Sequence, residues 1–121
     1  MSILQIHHVS VIVAETERSL EFYCGILGLR KLARRSNLTF PGAWLEAGEQ
    51  QIHLLELVNP YSAVESPEYG GRDRHMALST DDFEKIRAKL DAANIPYQLS
   101  SSGRDALFCC DPDGNVIEIV G

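Results

Sequence analysis

The 121-residue sequence lacks any apolar run approaching the roughly 20 residues that a membrane-spanning helix needs. It also lacks a positive balance: 11 Lys and Arg stand against 17 Asp and Glu, for a net charge of -6. That argues against a nucleic-acid surface, which calls for clustered base. The short basic runs, Arg30-Lys31 with Arg34-Arg35 and Arg72 with Arg74, are read as solvated loops or strand edges. Cysteine is scarce. Cys24, Cys109 and Cys110 cannot all pair within one chain, and the adjacent two cannot form an ordinary disulfide. No CxxC spacing marks a thiolate site, and the usage suits a reducing compartment. The opening residues Met1 to His8 lack the basic and long apolar regions of a secretion signal, so a cytosolic protein is the expectation. At 45% hydrophobic and 23% charged residues, neither disorder nor a membrane class is favoured, and a single domain over residues 1–121, with a real core, is expected.

What is present is a pattern that occurs twice. His8-Val9-Ser10-Val11-Ile12-Val13 is β-branched and apolar, a buried strand by composition. Thr16 is placed to cap a helix whose apolar stripe is Leu20, Tyr23, Cys24 and Leu27, closed by Gly28. Strands are expected around Leu29–Arg35, Ala43–Ala47 and Gln51–Val58. The stretch from Asn59 to Arg74, rich in Pro, Ser, Gly and charge, reads as a linker. Then His75–Thr80 restarts the order as a strand. Asp81 with Glu84 resembles a capping box, Phe83, Ile86, Leu90 and Ala93 form a helical stripe, and Asn94 can end it. Tyr97–Ser100, Ala106–Cys110 and Asn115–Val120 supply three more strands, the last two joined by the turn Asp111-Pro112-Asp113-Gly114. Two β-α-β-β-β modules, roughly 6–58 and 75–120, make an α+β fold.

The repeat carries chemistry. Each copy opens with a histidine on its first strand, His8 and His75, and ends on a strand with another donor, His53 or Glu118. The intervals are 45 and 43 residues. Equivalent strands in a pseudo-symmetric pair would bring four N/O donors around one centre, suited to Zn, Ni, Mn, Co or Fe(II). Glu118 lies among apolar neighbours on its strand, and a buried carboxylate needs a partner such as a metal, an arginine or a histidine. His7 points to the other face and is read as outside the site. On the fourth strand His53 and Glu56 have opposite parity, so only one can face inward. The closer match of intervals favours His53, and either is a candidate ligand or proton-transferring base. Arg104, near a hairpin, is a candidate clamp for a substrate carboxylate, and Trp44 a secondary substrate-binding candidate.

At these residues the chain resembles the vicinal-oxygen-chelate superfamily, which includes glyoxalase I, fosfomycin-resistance thiol transferases, bleomycin-binding proteins and extradiol dioxygenases. The opening strand with Ser19-Leu20-Glu21-Phe22-Tyr23 and Leu27-Gly28-Leu29, then His75-Met76-Ala77-Leu78, then Asp111-Pro112-Asp113-Gly114-Asn115-Val116-Ile117-Glu118, carry the likeness. The resemblance implies paired βαβββ modules forming a curved mixed sheet, with His8, His75 and Glu118 as ligands of a divalent metal ion. It implies a homodimer, with ligands shared across chains in several members. Glyoxalase I has a glutamate as its remaining ligand, on the strand where this chain offers His53 and, out of register, Glu56. The expected activity is a metal-dependent lyase or isomerase acting on a small molecule with vicinal oxygens, the cation serving as Lewis acid and Glu118 or Glu56 moving the proton. A thiol-transferring resistance enzyme and an Fe(II) dioxygenase are the enzymatic rivals, and a metal-free drug-binding protein is the rival of another class.

Overall fold

The computed structural model describes residues 2–33 and 39–121, so the Arg34 and Arg35 end of the expected second strand lies outside the described residues. The chain divides into two compact units, Met1–Pro60 and Tyr61–Gly121. In the first unit, strand β1 (His8–Val13) leads into helix α1 (Thr16–Leu20), which continues as a π-helical turn over Glu21–Ile26. Strands β2 (Arg30–Lys31), β3 (Gly42–Ala47) and β4 (Gln50–Glu56) follow. Their order is β1-β4-β3-β2, with β1 parallel to β4 and the other neighbours antiparallel. The second unit repeats this element for element: β5 (Met76–Ser79), α2 (Phe83–Ala92), β6 (Tyr97–Leu99), β7 (Ala106–Cys110) and β8 (Val116–Val120). Its order is β5-β8-β7-β6, again with the first and last strands parallel. The α+β class stands, as two four-stranded mixed sheets.

Strand alternation gives each sheet two faces. In the first unit Val13, Ala43, Leu45, Ile52 and Leu54 share one face and are buried with Phe22, Tyr23 and Leu27 of the helix. In the second unit Leu107, Cys109, Ile117 and Ile119 are buried on one sheet face, with Phe83 and Leu90 of α2 the buried side of that helix. The opposite faces hold the candidate donors. Alternation also separates the adjacent thiols, with Cys109 fully buried and Cys110 half-buried.

The first helix differs from the expected stripe. Ser19, Phe22, Tyr23 and Leu27 are its buried residues, whereas Leu20 and Cys24 are half-buried. Leu27 N donates to Phe22 O, five residues back, so the turn is wider than an α turn and its inward positions move. Gly28 at φ 79, with Leu29 N donating to Tyr23 O, closes the helix in the left-handed cap its sequence suggested. Thr16 does not cap: the N-cap position is Glu15, and Thr16 is itself the donor to a distant carboxylate. At α2 the cap is Asp82 and not Asp81, its side chain accepting from Lys85 N at 3.2 Å while Thr80 Oγ1 accepts from Asp82 N. Asn94, at φ 56, ends that helix as its sequence suggested.

Two local devices set the register of the donor strands. Asp111 is buried, and its Oδ1 accepts from Asp113 N and Asn115 N at 2.9 and 2.8 Å, pinning the β7–β8 turn. The stretch read as a linker is partly packed: a short 3-10 turn spans Glu68–Gly70, and Gly70 at φ 73 is buried. A Cβ on Gly70 would lie 3.3 Å from Val116 Cγ2, so this backbone can approach β8 only as glycine.

Candidate metal centre

The register shows how the two repeats place their donors. In the first sheet Ser10, two residues past His8, opposes His53, which is flanked on its other side by Trp44. In the second sheet Ala77, two residues past His75, opposes Glu118, which is flanked by Phe108. His53 and Glu118 are therefore topological equivalents, as are His8 and His75, and each pair shares the sheet face away from its buried layer. Among the described residues no group of three or more His, Cys, Asp and Glu side chains gathers to hold a metal ion. The expected donors come as two pairs, one in each unit.

In the first pair the His53 ring is stacked between His8, at 4.0 Å between centroids, and Trp44, at 4.2 Å. His53 is 7% exposed, and burial, followed by the charges of His8 and His7, lowers the pKa of its imidazole. Its Nε2 lies 2.8 Å from Gln51 Oε1, an atom that only accepts, so Nε2 carries the proton and Nδ1 keeps a lone pair. The exposed His7 is not remote from the pair, for its Nδ1 lies 2.9 Å from His8 Nδ1. Trp44 is half-buried, with Nε1 enclosed and without a hydrogen-bond partner.

The second pair is more informative. His75 Nδ1 lies 2.8 Å from the backbone oxygen of Asp73, again an atom that only accepts, so Nδ1 carries the proton. The neutral ring then presents the lone pair of Nε2 towards Glu118 Oε1, 3.2 Å away. Two lone pairs facing each other across that distance need a positive charge between them, either a second ring proton or a cation. Two ligands bound to one cation at 2.0–2.2 Å stand about 3 Å apart, which is the separation found here. A histidine donating its other N–H to a backbone carbonyl is also the usual support for a metal-ligating ring. The spacing of this pair would suit two of the ligands of a divalent cation. The other oxygen, Oε2, accepts from Arg104 Nη2 at 2.8 Å, so the carboxylate, 6% exposed, is held from both sides. Phe108 stands edge-on to the His75 ring at 5.5 Å between centroids.

A family model of the Glyoxalase/Bleomycin resistance protein/Dioxygenase superfamily matches residues 5–119. The chain belongs to that superfamily. It is 32% identical to "Glyoxylase I 4" of Arabidopsis thaliana over 98% of this chain and 71% of the relative. It is 28% identical to the lactoylglutathione lyase of Salmonella typhimurium, covering 97% of this chain and 92% of that one. A solved FosX fosfomycin resistance protein variant from Listeria monocytogenes, complexed with Mn(II) and 1S,2S-dihydroxypropylphosphonic acid, superposes with a TM-score of 0.73 at 14% identity. That alignment covers 100% of this chain and 92% of the FosX chain and shows the shared fold.

Two of the sequence candidates have partners of their own. Glu56 lies on the helix side of its sheet, opposite to His53, where Oε1 accepts from Thr16 N at 2.8 Å and Thr16 Oγ1 at 3.0 Å. It anchors the start of α1. Arg104, the candidate clamp, is bound to Glu118. Gln51, the Asp73 carbonyl and Phe108 escaped the sequence reading. Gln51 was within reach of it, because a polar residue two positions before His53 on a strand shares its face. The Asp73 carbonyl carries no sequence signal at all.

Proposed function

We propose that this protein is a divalent-metal-dependent lyase or isomerase of the glyoxalase type, acting on a small molecule with two adjacent oxygens. Its proposed ligands are His8, His53, His75 and Glu118, supplied within one glyoxalase-like domain or across a homodimer. The observation that carries the proposal is the His75–Glu118 pair, whose Nε2 and Oε1 stand 3.2 Å apart, a separation that two ligands of one cation would have. The relatives named for glyoxalase and lactoylglutathione lyase activity, and the Mn(II) complex of FosX, support it by analogy. When bound, the cation supplies Lewis acidity towards the substrate oxygens.

The remaining roles follow from this chain's own groups. Asp73 O and Gln51 Oε1 fix the tautomers of His75 and His53, so each ring presents one lone pair without reorganising. Trp44 and Phe108 stand beside His53 and His75 and restrict the orientation of those rings. Glu118, buried and held by Arg104, is the carboxylate proposed for proton transfer.

Titration calorimetry with Mn(II), Ni(II) and Zn(II), paired with turnover of hemithioacetal, fosfomycin and catechol substrates, tests the proposal. Stoichiometric metal binding and turnover abolished by chelator are expected. Ligand capture that ignores chelator, without turnover, would transfer the case to a metal-free binding protein. The dimer is tested by light scattering, where a monomer at every workable concentration refutes it. It is motivated by β1, an edge strand beside the exposed Ile3, Leu4 and Ile6.

A further inference from the structure

We propose that Arg104 is a positioning residue that reserves one oxygen of Glu118, so that the carboxylate offers a metal ion a single oxygen. This rests on Glu118 being a ligand, as proposed above. The two carboxylate oxygens are differently placed: Oε1 faces His75 Nε2 at 3.2 Å, and Oε2 accepts from Arg104 Nη2 at 2.8 Å. A carboxylate left unheld can turn to present both oxygens and occupy two coordination positions. With Oε2 engaged in a charge-assisted bond, only Oε1 is presented on the side of His75, and a position stays open for a substrate oxygen. Arg104 also compensates the charge of a carboxylate that is 8% exposed at its side chain.

The chain builds this contact locally. Gly103, at φ 83, turns the β6–β7 connection, and Ser100 Oγ accepts from Ser102 N to brace it. Arg104 follows in the bend two residues before β7, whose Phe108 is the residue opposite Glu118 in the sheet. The guanidinium, 57% exposed, therefore reaches the buried carboxylate from the rim of the sheet. A pair formed only at the surface would have little effect on anything. This one has its anionic partner inside.

The test compares wild type, Arg104→Ala and Arg104→Lys by Mn(II) titration followed by electron paramagnetic resonance. Carbon NMR of the Glu118 carboxyl in chelator-treated protein runs in parallel. In Arg104→Ala the freed carboxylate should take two positions on Mn(II), so the number of water ligands, read by paramagnetic resonance in isotopically labelled water, should fall by one. Arg104→Lys should recover part of that loss, since a lysine supplies the charge but not the planar fork. Without metal, the single Glu118 carboxyl resonance of the wild type should broaden or split in Arg104→Ala. An unchanged water count on Mn(II) in Arg104→Ala overturns the inference, as does an unaltered Glu118 resonance. Failure of the wild type to bind Mn(II), Ni(II) or Zn(II) defeats the proposed function first and this inference with it. A water lost only in Arg104→Ala supports both.

Discussion

Replacing Glu118 by glutamine separates metal chemistry from stability, because the surroundings of the carboxylate suit a neutral amide. His75 Nδ1 is committed to Asp73 O, so the ring offers a lone pair at Nε2, which an amide N–H at position 118 can fill. The amide oxygen can still accept from Arg104 Nη2. No buried polar group loses its partner, and an ion pair exchanged for a hydrogen-bonded isostere changes stability by within about 1 kcal/mol. Unfolding entropy of about 2.1 cal/mol/K per residue over 121 residues makes 1 kcal/mol worth about 4 °C in Tm. Chelator-treated Glu118→Gln should therefore melt within about 4 °C of the wild type. Glu118→Ala, which strips both partners and leaves a hole, should cost roughly 2–4 kcal/mol, or about 8–16 °C. Metal affinity should collapse in both. Differential scanning calorimetry in chelator and Mn(II) titration read the two effects. Glu118→Gln binding metal like the wild type, or melting like Glu118→Ala, would refute the reasoning.

Glu56→Ala removes the acceptor of Thr16 N and Oγ1, so it should cost about 1–2 kcal/mol, as for a lost helix cap, while metal affinity holds; a metal titration that shifts with Glu56 would return it to the site. His53 has its folded pKa lowered mainly by burial, so as pH falls below the ordinary value of 6.5 the unfolded chain takes up a proton that the folded chain resists. Stability in chelator is therefore full above about pH 6.5 and declines below it, and His53→Phe should flatten that slope in denaturant melts read across pH. Burial pushes the Cys109 thiol up to about 12, so it should resist disulfide reagents at pH 8 until the protein unfolds; rapid labelling of Cys109 in the native state, mapped by mass spectrometry, would contradict its place in the core.

Much of the fold is legible in the sequence because alternation along a strand and turn chemistry are local properties. The repeat of histidine-led strands, the split of Cys109 from Cys110, the Asp111 turn and the opposed parity of His53 and Glu56 all follow from residue order and a period of two. So does the equivalence of His53 and Glu118, which the intervals of 45 and 43 residues suggest and the two registers display. Helix faces were less legible. A single hydrogen bond from Leu27 N to Phe22 O widens one turn and moves Cys24 out of the buried stripe, and no 3.6-residue period encodes that. Partners distant in sequence were legible only where the repeat pointed to them, as for His75 and Glu118. Glu56 meets Thr16 forty residues away because β4 lies beside β1 in one register, and Arg104 finds Glu118 because the turn before β7 brings it alongside β8. The proton on His75 Nδ1 is set by a backbone carbonyl, a group every residue carries, so only the folded chain could assign it. Residue order determined which groups share a face, and tertiary packing decided which of them touch, since contact depends on register and distance and a sequence period specifies neither.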